Sequence, residues 1–67
     1  MKIFAERLKE LRVEKDLSQR GLAQLLNLSY SAIKQWESET RTPNAEAIVV
    51  IAKFFDVSAD YLLGLSD

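Results

Sequence analysis

Between Asp16 and Glu37 lies a stretch that holds no carboxylate, and its polar residues are Ser, Gln, Asn, Tyr, Arg and Lys. A surface meant to approach a polyanion has to avoid like charge, and this one does. Ser31, Lys34, Gln35 and Ser38 stand at i, i+3, i+4 and i+7, so on a helix they share one face, with Tyr30 at its first turn. Such a set can read base edges. A Gln amide pairs with adenine, Lys suits guanine acceptors or a phosphate, Ser donates or accepts, and Tyr can touch a thymine methyl or a phosphate. Each good bidentate pair discriminates between bases by about 1–3 kcal/mol.

Other chemistry is closed to this chain. It has no Cys and no His. Disulfide frameworks, zinc fingers, His-activated nucleophiles and switches that titrate near neutrality are therefore excluded. Acids and bases are scattered over polar helix surfaces with no pocket or metal set, so neither catalytic residues, nor metal ligands, nor a cofactor is expected, and the chain reads as a non-enzyme. The longest uncharged stretch, Gly21 to Ile33, is too short to span a bilayer and rich in Gln, Asn and Ser, and the N-terminus lacks a signal-peptide pattern. A cytoplasmic protein without a membrane partner is the expectation.

The formal net charge of −1 would by itself argue against a nucleic-acid partner. The charge is unevenly placed, however. Up to Trp36 there are seven Lys and Arg against four Asp and Glu, a net +3; from Glu37 onward there are two against six, a net −4. Basic character is concentrated where the acid-free stretch lies.

Five helical segments must position these side chains. Phe4, Leu8, Leu11 and Lys15 follow i, i+4, i+7 and i+11, which predicts an amphipathic helix over 3–15. Ser18 caps a second helix with Leu22, Ala23 and Leu26 on its inner face; it closes at Asn27, which tolerates the left-handed conformation. Ser29 caps a third that runs to about Glu37. Residues 38–43 form a loop because Pro43 disfavours helix at Thr42. Asn44 caps a fourth helix to about Phe55, and Ser58 caps a short fifth one ending at Gly64. Period-two alternation is missing, so the fold class is all-α, one domain over 1–67; a chain this short removes only about 60% of its unfolded surface from water and builds a single core. The expected core is Phe4, Leu8, Leu11, Leu22, Leu26, Leu28, Ile33, Trp36, Ile48, Ile51, Phe55, Val57, Leu62 and Leu63.

Only Asn27, Leu28 and Ser29 join the second and third helices, which favours a sharp crossing of about 90–120°. That is a helix-turn-helix, over about 18–38. Ala23 supplies the small residue where the backbones approach, and Leu28 and Ile33 the apolar residues tucked beneath the turn. Ile33 and Trp36 must face the core, which turns Ser31, Lys34 and Gln35 outward.

Taken together, Leu17-Ser18-Gln19, Leu22-Ala23, Leu26-Asn27-Leu28-Ser29, Ile33 with Trp36-Glu37, Pro43, Ile51-Ala52-Lys53, and Val57-Ser58 with Asp60 and Leu62-Leu63-Gly64 carry a resemblance. Over nearly its whole length the chain resembles the Cro and phage-repressor type helix-turn-helix proteins, also called the xenobiotic-response-element family. The resemblance implies a compact five-helix, lambda-repressor-like domain whose third helix enters the DNA major groove. It also implies that Gln19 contacts a phosphate, and that Ser38 and Arg41 touch the backbone or lie near the minor groove. Arg20 and Ser29 join this backbone set. Arg12 and Glu37 match a partly buried ion pair that ties helix one to the end of helix three, a structural role.

Three departures from the family pattern stand out. Gly21 replaces the Glu that would complete a capping box with Ser18, and a helical Gly costs about 0.5–1 kcal/mol against Ala. Asn27 stands where Gly is frequent. Leu25, Val50 and Phe54 occupy places expected to be polar, and Ala47, Val50 and Phe54 make a second apolar stripe that either meets another chain or a further domain, with Leu65, or thickens the core against helix one. The function expected is sequence-specific binding of double-stranded DNA by a homodimeric transcriptional regulator, a repressor. The alternative from another class is a protein-interaction module, such as the antitoxin of a toxin–antitoxin pair.

Overall fold

Four short polar side chains start four of the five helices. In the computed structural model, which describes residues 1–67, Ser18 Oγ accepts from the Gly21 amide at 2.9 Å and Ser29 Oγ from the Ala32 amide at 3.0 Å. Asn44 Oδ1 accepts from Ala47 at 2.8 Å and Ser58 Oγ from Tyr61 at 2.9 Å. These bonds satisfy amides that would otherwise lack partners in a first turn. The helices are α1 (Lys2–Glu14), α2 (Gln19–Leu26), α3 (Tyr30–Glu37), α4 (Ala45–Phe55) and α5 (Ala59–Leu63). The four capped starts are as expected, and α1 lies one residue earlier than the expected 3–15 at both ends.

The helices also stop in one way. Asp16, Asn27, Glu39, Asp56 and Gly64 adopt left-handed backbone, with φ between 55° and 80°. After each, the next amide turns back onto the preceding helix: Leu17 to Arg12, Leu28 to Ala23, Thr40 to Gln35, Val57 to Ala52 and Leu65 to Asp60, at 2.8–3.1 Å. Four of the five are not glycine, so a left-handed cost is accepted in exchange for closing carbonyl groups.

Each helix sends one or two side chains to the centre. Phe4 and Leu8 of α1, Leu22 of α2, Ile33 of α3, Ile51 of α4 and Leu62 of α5 are fully buried. Phe4 meets Trp36 edge to face, with centroids 6.3 Å apart. The Trp36 indole N–H is buried without an acceptor, which costs on the order of 1–3 kcal/mol.

The observed core differs from the expected one in its small residues. Ala23, Ala32, Ala47 and Ala52 are buried at its heart, whereas Leu11, Leu26, Leu28, Ile48 and Val57 pack half-buried around it. Leu63 is half-buried too. Helices in so small a bundle approach closely where Cβ is the only side-chain carbon, so alanines complete a core centred on Phe4, Leu8, Leu22, Ile33, Ile51 and Leu62 while these other large residues lie at its rim.

Of the two readings of the second apolar stripe on α4, the thicker core holds for Ala47 and Phe54. Ala47 is buried in the core, and Phe54 packs against it with its ring edge-on to Phe55 at 4.9 Å and the Lys15 ammonium 5.8 Å from its centroid. Of that stripe only Val50 stays exposed, beside Val49; Leu25 and Leu65 are exposed on other elements. Gly21 keeps the Ser18 cap bond, so only the reciprocal half of a capping box is missing.

Candidate nucleic-acid interface

The position of α3 is set from behind. Ala32, Ile33 and Trp36 are buried, and Glu37 at its last turn is bonded by Arg12 of α1. Arg12 Nε donates to Glu37 Oε2 at 2.7 Å and Nη2 to Oε1 at 2.9 Å, and Nη1 donates to the Leu17 carbonyl at 2.7 Å. A fork of this shape is a bidentate pair, and the third bond fastens the α1–α2 turn to the same group. The two side chains are only 12% and 5% exposed, so the pairing replaces most of the water around each charge.

The hydrogen bond that Arg12 donates to Glu37 raises the Arg12 pKa above its ordinary value; burial opposes the rise and the charge of Glu37 adds to it. A folded-state pKa raised above the unfolded one stabilises fully below the unfolded value. That contribution is lost only as pH climbs through the folded value, beyond the usual guanidinium range. Arg12 therefore brings no pH dependence near neutrality.

The opposite side of α3 is polar and open. Ser31 and Lys34 are exposed and Gln35 is half-buried, with Gln35 Nε2 donating to Ser31 Oγ at 2.9 Å. Ser38 Oγ donates to the Gln35 carbonyl at 3.2 Å and lies 3.0 Å from Thr40 Oγ1, which also reaches that carbonyl. Ser31, Gln35, Ser38 and Thr40 thus form a continuous neutral chain along the face. Thr40 was not among the expected site residues; its signal was a hydroxyl in the turn that closes α3.

Around this face the remaining candidates divide. Gln19 does not stand free: its Nε2 donates to Glu37 Oε1 at 3.2 Å, leaving its amide oxygen as the group open to other partners. Ser29 is exposed, and its oxygen accepts the cap bond of α3. Tyr30 is half-buried against the core, and the Arg20 guanidinium lies over its ring at 4.1 Å. Arg41 is exposed beside a hollow of about 290 Å³ that Ser29, Trp36 and Asn44 also line. A second hollow, about 310 Å³, gathers Lys9, Gln19, Lys34 and Ser38 over the Arg12–Glu37 pair. Lys9 was missed. Its position three residues before Arg12 put it on the same side of α1, which is the signal that could have found it.

No group of three or more acidic, His or Cys side chains could hold a metal, and no helix is long and apolar enough to cross a membrane. What the surface offers is hydrogen-bond donors and cations on a rigid helix. A family model described as helix-turn-helix matches residues 8–62. This chain belongs to the helix-turn-helix family. It is 47% identical over 60 residues to the HTH-type transcriptional activator BcrR of Enterococcus faecalis. It is also 34% identical over 65 residues to YobD of Bacillus subtilis, an uncharacterized HTH-type transcriptional regulator. These alignments take in 90% and 97% of this chain but 29% and 58% of those proteins, so it corresponds to part of each. Among solved structures it is similar to the restriction-modification controller protein C.AhdI from Aeromonas hydrophila, with a TM-score of 0.81 and 34% identity over 91% of this chain and 92% of that one.

Proposed function

We propose that this helix-turn-helix domain binds double-stranded DNA with sequence specificity and regulates transcription, repressing by occupying its site. In this reading α3 lies in the major groove. Ser31, Lys34 and Gln35 meet base edges, with Tyr30 at the N-terminal end of the same face. Gln19, Arg20, Ser29, Ser38 and Arg41 hold the phosphates on either side, and Lys9 adds to them. One observation carries the reading: α3 has an acid-free exposed face of donors while its reverse is locked into the core and the Arg12–Glu37 pair. The naming of similar proteins as transcriptional regulators supports it.

A lone domain with so few cations neutralises only a handful of phosphates, so two copies acting on half-sites about 34–36 Å apart provide the affinity that one lacks. The working form is therefore a homodimer on DNA. The test is selection of bound sites from random duplexes. A recurrent pair of inverted half-sites centred about one helical turn apart is the expected result. Equal recovery of all sequences would overturn the reading.

A further inference from the structure

The four arginines of the chain are held in different ways. Arg12 is closed by Glu37, and Arg7 donates to the carbonyl oxygens of Tyr61 and Ser66. Arg41 is exposed in the loop after α3. Arg20 combines two properties: its guanidinium is oriented, over the Tyr30 ring at 4.1 Å, yet it donates no hydrogen bond within the chain and has no carboxylate partner. Glu37, the one acid of α3, is already bonded by Arg12 and Gln19.

Tyr30 is equally informative. Its ring is half-buried against the core, and the guanidinium covers part of what remains, so little apolar face is left for a thymine methyl. A ring in that position is better suited to hold a cation than to read a base. We infer that Tyr30 is a positioning residue, whose ring presets the Arg20 guanidinium as a fork for one DNA backbone phosphate beside the N-terminal end of α3.

The inference rests on the major-groove reading of α3 and narrows the part assigned to Tyr30. Arg20 belongs to α2, and in this motif the first helix crosses the backbone while the second enters the groove, which places the fork over phosphate. A planar fork matches two phosphate oxygens, and stacking restricts its rotamers before binding, so less freedom is lost on contact.

The test uses the full chain and the duplex that it selects itself, comparing Arg20→Ala, Tyr30→Phe, Tyr30→Leu and the double variant Arg20→Ala/Tyr30→Leu over a salt titration. Arg20→Ala should weaken binding about tenfold on every duplex alike and flatten the salt dependence of the homodimer by about 1.8 in log–log slope, the loss of one phosphate contact from each protomer. Tyr30→Phe keeps the ring and should bind within about twofold of the parent. Tyr30→Leu should weaken binding about three- to fivefold without changing the selected sequence, and should add nothing once Arg20 is gone. Additive losses in the double variant would overturn the inference. So would a changed base preference at one position in Tyr30→Leu, which makes Tyr30 a reader, or in Arg20→Ala, which makes Arg20 one. Both results leave the groove reading standing; a parent protein indifferent to sequence would remove that reading and the inference with it.

Discussion

The two faces of α3 are held by different chemistry. Behind, Ile33 and Trp36 are packed in the core and Glu37 is gripped by the part-buried Arg12 guanidinium; in front, Ser31, Gln35, Ser38 and Thr40 are joined by neutral hydrogen bonds at the surface. Buried groups lose their partners without compensation from water, whereas surface hydrogen bonds are replaced by solvent at little cost. The rear face is therefore where stability resides, and the front face contributes little to it.

Four substitutions test that contrast. Ile33→Ala, at a side chain with no exposure, should destabilise by about 2–5 kcal/mol in urea unfolding, since it removes buried carbon and leaves a cavity. A loss under about 1 kcal/mol would mean that the rear face is not the anchor. Glu37→Gln strands Arg12 and should cost about 3 kcal/mol. Unfolding of the parent and variant, followed across neutral pH, should give a difference that Arg12 does not modulate, because its raised pKa keeps it charged throughout.

On the front face the same measurement should find almost nothing. Gln35→Ala should change unfolding by no more than about 0.5 kcal/mol while reducing discrimination at one base pair of the selected site by about 1–3 kcal/mol. If stability fell with binding, the separation of the two faces would be lost. The smallest effect is expected at the end of the face. Glu39 is exposed and held at φ 66°, so Glu39→Gly should relieve left-handed strain and raise stability by roughly 0.5–1 kcal/mol in thermal unfolding.

Much of the fold was legible along the chain. Ser18, Ser29, Asn44 and Ser58 announce helix starts, and Asn27 and Gly64 helix ends, because a cap is made within three or four residues of itself. The spacing of Ile33 and Trp36 was enough to turn Ser31 and Lys34 outward. The second apolar stripe on α4 stayed open between a thicker core and an outside partner for the opposite reason. Whether Ala47 and Phe54 face partners or solvent depends on which helices lie beside α4, and periodicity on one helix does not contain that.

Residue types and their intervals thus determined that the chain is helical, where each helix begins, which sides point inward and to which family it belongs. Packing alone decided that Gln19 leans on Glu37, eighteen residues away in sequence, and that Arg20 lies on Tyr30. Caps and amphipathic spacing follow from backbone geometry over a single turn, which every short window of sequence carries. Contacts between helices depend on crossing angles and side-chain rotamers, which arise only when all five helices close on one core.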